Sequence, residues 1–252
     1  MTGTGAPVDA TRAPFTVHSF DADAFGLLSP VALAGYLQEA AGLSADTLGF
    51  GMSHLAGRGL AWVLSRQRVV LDVPLRMGDA LVVETWPSGI DRLAALRDFR
   101  LWRDGVEVGR ALTTWLVMNL ASRRPGRPDR ILPPERHAQT GHVLPLVTAP
   151  LPALGAAAID QRFQVRFADI DANRHVTNAS YIAWALEAVE EPHWQAQRLA
   201  SLDVQFLAEA VHGAFVRSRS APDGDGALLH EVVREEDGKE LARARTTWTA
   251  RE

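Results

Sequence analysis

The strongest constraint on this chain is that its sequence carries the same pattern twice. Phe15-Thr-Val-His-Ser-Phe-Asp21-Ala-Asp23-Ala aligns without a gap on Phe163-Gln-Val-Arg-Phe-Ala-Asp169-Ile-Asp171-Ala, at a spacing of 148 residues from Asp21 to Asp169. The match continues with Glu39-Ala40 over Glu187-Ala188. Further along, Gly105-Val-Glu107-Val-Gly-Arg110-Ala-Leu-Thr113-Thr114-Trp115 aligns on Gly238-Lys-Glu240-Leu-Ala-Arg243-Ala-Arg-Thr246-Thr247-Trp248, at a spacing of 133 from Gly105 to Gly238. Self-similarity kept in order implies two tandem copies of one fold, and 252 residues leave each copy enough chain for its own core. The copies differ in chemistry. Where the second has Asp171, Asn173 and His175, the first has Asp23, Phe25 and Leu27, so reactive groups are expected from the second half.

Composition narrows the function classes. The chain is 47% hydrophobic and 22% charged, ordinary for a globular protein, and no apolar run approaches the ~18 residues of a membrane helix, so no membrane span is expected. Residues 1–12 are small and polar and read as a loose N-terminus rather than a signal peptide, which makes cytoplasmic residence the expectation. With no cysteine there are no disulfides, no thiolate-bound metal and no cysteine nucleophile. A net charge of −4 argues against nucleic acid as a partner, although Lys239 is the only lysine and the positive charge is almost all arginine. The 8 histidines show no metal-ligand spacing, so neither a metal nor a cofactor is expected, and His54, His137, His142, His193, His212 and His230 stay without a role.

The chain divides into a first domain over 13–122, a connecting segment over 123–160 and a second domain over 161–252. Between 121 and 160 stand 7 of the 14 prolines and the cluster Arg123, Arg124, Arg127, Arg130 and Arg136. Proline at this density opposes helix and central strand. The arginines read as a solvated face, with docking of an acidic partner as the other use. In each domain the order is an extended start, one long apolar helix, then strands. Ser29-Pro30 is an N-cap followed by proline at the first helical position, and Thr177-Asn178 stands in the same place in the second copy. Residues Ala179 to Val189 are apolar on almost every face, the mark of a buried helix. Ala61–Val73, Ala80–Trp86, Leu96–Trp102 and Val106–Met118 read as strands, the last two joined at Asp104-Gly105, with a second hairpin around Asp237-Gly238. One buried helix against a curved antiparallel sheet, twice, is an α+β arrangement. The two sheets could pair along an edge, as in a dimer fused into one chain.

In Arg166-Phe-Ala-Asp169-Ile-Asp171-Ala-Asn173-Arg-His175-Val-Thr-Asn178, residues 171, 173 and 175 are spaced by two, directly ahead of a helix start. In extended backbone such side chains share one side. A carboxylate, an amide and an imidazole can therefore converge beside first-turn amides that carry the positive end of the helix dipole, where a carbonyl oxygen gaining charge is stabilised. Because Asp21 and Asp23 stand opposite Asp169 and Asp171, part of the acidic pattern is expected to serve loop geometry. The Thr-Thr-Trp repeats read as strand packing.

This stretch resembles the Asp-x-Asn-x-His-Val-x-Asn segment of hotdog-fold thioesterases. With the duplication, Gly49-Phe-Gly51-Met, Val69 through Trp86 and Val117-Met118-Asn119, residues 13 to 250 resemble the fatty acyl-ACP thioesterases of plants and bacteria. The resemblance implies two tandem hotdog domains and hydrolysis of the thioester joining a fatty acyl chain to the phosphopantetheine of acyl carrier protein, the expected partner. It places catalytic roles on Asp171, Asn173 and His175. The family's further acid lies after the helix in a tyrosine-arginine-arginine-glutamate-cysteine pattern, here Phe206-Leu-Ala-Glu209-Ala210. Glu209 falls on the glutamate and Ala210 on the cysteine, so a mechanism that needs that cysteine cannot operate. Glu209 or Asp171 would activate water, Asn173 would position water or polarise the carbonyl, and His175 would stabilise or protonate the thiolate. A carboxylate attack through an acyl-enzyme anhydride is the other route. The first domain, with Phe25 and Leu27 in place of amide and imidazole and Trp62, Trp86 and Trp115 in its strands, is expected to hold the acyl chain, as a monomer or homodimer.

Three other functions fit parts of the pattern. An acyl-CoA thioesterase would share the fold and differ in carrier. A hotdog hydratase would carry Gly-Asp-x-Asn-Pro-x-His, with histidine five after aspartate, whereas His175 is four after Asp171 with no proline between them. An acyl-thioester sensor would need no intact triad.

Overall fold

The computed structural model describes residues 7, 9–139, 141–171 and 174–251. They form two compact units, Met1–Val147 and Thr148–Glu252. In the first, strand β1 (Thr11–Thr16) leads to helix α1 (Pro30–Thr47). Ser29 caps that helix, its hydroxyl accepting the N–H of Ala32 at 3.1 Å, and Pro30 supplies a preset φ where no N–H is needed. Leu33, Leu37, Ala40, Ala41, Ser44 and Ala45 form the buried stripe of α1, spaced to keep one face on the sheet. Gly49, with φ of 81°, turns the chain out of the helix. Then follow the short helix α2 (Met52–Ala56) and strands β2 (Leu60–Leu71), β3 (Ala80–Asp91), β4 (Ala94–Arg103) and β5 (Val106–Asn119). Asp104 and Gly105 take φ of 51° and 77°, the left-handed pair that a tight hairpin requires. The sheet runs β1-β3-β4-β5-β2, antiparallel at each of these pairings, with the two-residue β6 (Arg124–Pro125) on β5.

The proline-rich stretch up to Val147 packs on this unit. Ile131 and Leu132 join the core beside Trp62 and Phe50. The carboxylate of Asp98, with no exposure, accepts both His142 Nδ1 at 2.8 Å and the N–H of Val143 at 3.0 Å. Arg66 donates to the carbonyl of Val147 and Arg68 to that of Pro145. Backbone that proline keeps out of a ladder is thus satisfied by side chains.

The second unit repeats the plan with strand β7 (Ile159–Gln164), helix α3 (Asn178–Glu187), the short helix α4 (Glu191–Ala196), and strands β8 (Gln197–Phe206), β9 (Phe215–Pro222), β10 (Leu228–Arg234) and β11 (Glu240–Ala250). Thr177 caps α3 by accepting the N–H of Ser180 at 3.1 Å, the counterpart of Ser29. Its sheet runs β7-β9-β10-β11-β8. Paired element by element, this is the order of the first sheet, so the duplication seen in the sequence is a duplication of topology. α3 ends two residues short of the expected Val189, ahead of the proline that opens α4. Among the described residues no helix is long and apolar enough to cross a membrane.

Candidate active site

The loop ahead of α3 is shaped by its own aspartates. Asp171 receives the N–H of His175 on Oδ1 at 3.2 Å, while its own N–H donates to the carbonyl of His175 at 2.8 Å. Arg174 between them takes φ of 66°. Asp169, buried, accepts the backbone N–H of Arg166 at 2.7 Å and its guanidinium at 3.0 Å, and its carbonyl receives the N–H of Thr177 at 2.9 Å. Burial works to raise the Asp169 carboxyl, but the side-chain and backbone hydrogen bonds from Arg166 outweigh it and hold the group below its usual range. The first unit makes the same loop. Asp23 receives the N–H of Leu27 at 3.0 Å and donates to the Leu27 carbonyl at 2.7 Å, and the carbonyl of Asp21 receives the N–H of Ser29 at 2.8 Å. The acids that recur in both copies thus shape the same loop in each.

This loop presents His175 outward, and the loop between β8 and β9 brings Glu209 to it. His175 Nε2 lies 3.9 Å from Glu209 Oε2, with the two side chains 44% and 51% exposed. Glu209 stands three residues past the last residue of β8, so it is carried by a loop rather than a strand. Its peptide is clamped from both sides. Arg234 on β10 donates Nη1 to the Glu209 carbonyl at 3.1 Å, and the next N–H, that of Ala210, donates to the phenol oxygen of Tyr181 on α3 at 2.8 Å. Arg234 is fixed by a two-pronged contact with Asp237 at 2.9 and 2.7 Å. Burial raises the Tyr181 phenol to about 12; the Ala210 hydrogen bond works against this and the Glu209 charge adds to it. It stays a neutral hydroxyl at physiological pH.

The first unit offers a control built into the chain. After β8 the N–H groups of Leu207 and Ala208 both reach the Leu241 carbonyl, as those of Asp72 and Val73 reach Val108 after β2. Pro74 therefore stands where the second unit has Glu209, and Leu27 where it has His175. Both ionisable groups are missing from the corresponding place.

Asp171, His175 and Glu209 are thus placed in two adjoining loops, and Asn173 lies outside the described residues. The residues expected to hold an acyl chain have different surroundings. Trp62 and Trp115 pack in one cluster with Phe50, Leu55 and Ala95. Trp86 is buried on β3 with the guanidinium of Arg100 5.7 Å from its ring, Leu27 is buried in its loop, and Phe25 is 38% exposed. Sequence reasoning did not single out Tyr181 or Arg234. The only signal for Tyr181 was a hydroxyl on an otherwise apolar helix, which needs a partner when buried. Among the described residues no group of three or more histidine or acidic side chains could hold a metal ion. What remains is a carboxylate and an imidazole within ion-pair distance, both open to solvent, beside the start of a buried helix. That set can take a proton from water and deliver one to a leaving group.

Known proteins resemble this chain over both units. Residues 9–132 match the acyl-ACP thioesterase N-terminal domain and residues 154–250 the acyl-ACP thioesterase C-terminal domain. The chloroplastic acyl-[acyl-carrier-protein] hydrolase FATB2 of Cuphea viscosissima is 30% identical over 257 residues, which span 94% of this chain and 62% of that protein. The crystal structure of an acyl-ACP thioesterase from Bacteroides thetaiotaomicron superposes with a TM-score of 0.86 at 23% identity, covering 96% of this chain and 98% of that one. The 12:0-ACP thioesterase from Umbellularia californica gives 0.85 at 24%, covering 98% and 100%. These likenesses, with the repeated topology, establish an α+β architecture of two tandem hotdog domains. With a match to both halves of the family pattern in their proper order, the chain belongs to the acyl-ACP thioesterase family.

Proposed function

We propose that this protein hydrolyses fatty acyl thioesters of acyl carrier protein, releasing a free fatty acid and the carrier's phosphopantetheine thiol within fatty acid biosynthesis. The observation that carries the reading is the His175–Glu209 approach of 3.9 Å in the second unit, set against leucine and proline at the corresponding places of the first. Family membership supplies the substrate class.

In this mechanism Glu209 takes a proton from water as the water oxygen attacks the thioester carbonyl. The oxyanion forms near the first-turn amides of α3, which have no acceptor within the helix. Asn173 is assigned the task of positioning the water or polarising the carbonyl. When the carbon–sulfur bond breaks, His175 gives its proton to the departing sulfur, and the proton held by Glu209 returns the pair to its starting state. Asp171 acts through its neighbour: its carboxylate holds the backbone of His175, which makes Glu209 the better placed base. No cysteine is required.

The test is thiol release by purified protein from matched acyl-ACP and acyl-CoA. Faster cleavage of acyl-ACP, lost in His175→Ala and Glu209→Gln, supports the reading. Equal rates on the two carriers would remove the carrier preference, and thiol release unchanged in both variants would remove the site.

A further inference from the structure

The Tyr181 phenol, 4% exposed, uses its oxygen to accept the N–H of Ala210 at 2.8 Å. A hydroxyl that accepts still has its own hydrogen to donate, and among the described residues no acceptor meets it. Burying a donor without an acceptor is unfavourable. The contact with Ala210 therefore accounts for the oxygen and leaves the hydrogen unexplained. The charged groups that act on the phenol are Glu209, from the loop after β8, and Arg234, from β10. Trp184 and Phe206 pack edge-on against the ring and hold it in place.

The first unit separates what this residue does from what the loop needs. Arg103 Nη1 donates to the Pro74 carbonyl at 3.1 Å, as Arg234 Nη1 does to that of Glu209, so the arginine contact shapes the loop in both copies. The phenol does not recur. At the spacing of 148, Leu33 stands in its place on α1, buried in the core. The hydroxyl thus accompanies His175 and Glu209 in the second unit and is missing with them from the first. Tyr181 is the fourth residue of α3, and helical side chains lean towards the N-terminus. Its ring lies over the first turn, whose amides have no acceptor within the helix.

We propose that Tyr181 is a catalytic residue whose O–H donates a hydrogen bond to the thioester carbonyl oxygen as that oxygen becomes the oxyanion. When water attacks, the π pair of the carbonyl moves onto oxygen, and the phenol meets this charge beside the first-turn amides. When the pair re-forms the carbonyl, the carbon–sulfur bond breaks, and the phenol keeps its proton throughout. The Ala210 N–H polarises the hydroxyl and makes it a stronger donor. Burial raises the phenol to about 12, so it stays protonated at working pH. The inference rests on the reading of the protein as an acyl-thioester hydrolase.

The experiment follows thiol release from acyl-ACP by full-length protein made with tyrosine analogues that carry one or two ring fluorines beside the hydroxyl. The chain has 2 tyrosines, and the other, Tyr36, bonds Thr16 and Asp21 in the first unit, so a Tyr36→Phe protein carries the label at 181 alone. Fluorine lowers the pKa of a phenol. The resulting phenolate still accepts the Ala210 N–H, but it has no hydrogen to give. The expected result is an alkaline loss of kcat that moves towards neutral pH with each added fluorine, in step with phenol ionisation read by fluorine NMR, while KM stays constant. Tyr181→Phe lowers kcat by about 10²–10³, the range for loss of one oxyanion donor. A kcat profile that stays in place while the phenol ionises shows that the hydroxyl only holds the loop, and overturns the proposal. Should Tyr36→Phe fail to fold, both tyrosines carry the analogue, and the single signal of labelled Tyr181→Phe identifies that of Tyr36. If unlabelled wild type releases no thiol, the functional reading falls and this inference falls with it, whereas activity indifferent to fluorination overturns the inference alone.

Discussion

The phenol oxygen of Tyr181 accepts the N–H of Ala210 at 2.8 Å, which ties the buried helix of the second unit to the peptide that carries Glu209. Tyr181 is 4% exposed and Ala210 has no exposure, so this N–H has no water to turn to if the hydroxyl is removed. Tyr181→Phe is expected to cost about 1–3 kcal/mol of stability, the penalty of a buried unsatisfied donor. Because Glu209 loses one of its two clamps, kcat should fall while KM stays near wild type. Thermal unfolding and steady-state kinetics check the two effects separately, and an unchanged kcat in a destabilised protein would leave Tyr181 a purely structural residue.

His175→Ala and Glu209→Gln remove groups open to solvent, so neither should disturb the fold. Each is expected to lower kcat by roughly 10²–10⁴, the range for loss of a positioned acid or base. Groups that act as one unit are not additive. The double variant should therefore lose little beyond the worse single one, and a loss equal to the product of the two would indicate separate roles.

His230, 2% exposed, accepts or donates a hydrogen bond with Thr246 at 2.9 Å behind α3. Burial lowers its pKa from the usual 6.5 to about 4. The sign follows: the unfolded chain takes up this proton first, so the contribution is complete above pH 6.5 and is lost progressively as pH falls towards 4. The full loss is about 3 kcal/mol from this group. Phe99 occupies the equivalent ladder position in the first unit, opposite Thr85 as His230 is opposite Ser220. Denaturant unfolding between these pH values should show a shallower dependence in His230→Phe than in wild type; parallel curves would contradict the assignment.

Gly89 has φ of 123°, and a Cβ there would fall 2.6 Å from Cα of Gln139 and 2.9 Å from the carbonyl of Ala138. The proline-rich segment therefore lies on β3 only because this residue has no side chain. Gly89→Ala is expected to destabilise by about 1–3 kcal/mol through overpacking and backbone strain, with faster proteolysis between residues 133 and 147. Protection equal to wild type would show that the segment is held elsewhere.

Much of the architecture was legible in the chain because its signals are local. Ser29 and Thr177 announce their helices by a hydroxyl that reaches an N–H three residues away, and Asp104-Gly105 announces its hairpin by tolerating positive φ. The duplication was visible for a related reason, since both copies keep the residues that such local bonds require. The recurrence of Asp23 and Asp171 already pointed to loop shaping, and each does bond the N–H four residues on. The candidate pair was less accessible. His175 has a suggestive neighbourhood, but Glu209 lies 34 residues downstream and entered through resemblance to a family, not through anything beside it.

By itself, then, the sequence determined two copies of one α+β unit, where their helices start and hairpins turn, and which copy keeps ionisable groups. The tertiary structure decided which distant groups meet: Glu209 with His175, Tyr181 with Ala210, and Asp98 with His142. The division is physical. Caps and turns are settled by bonds spanning a few residues, whereas the meeting of remote side chains is fixed by strand register and by how each helix lies on its sheet, which no short stretch of chain contains.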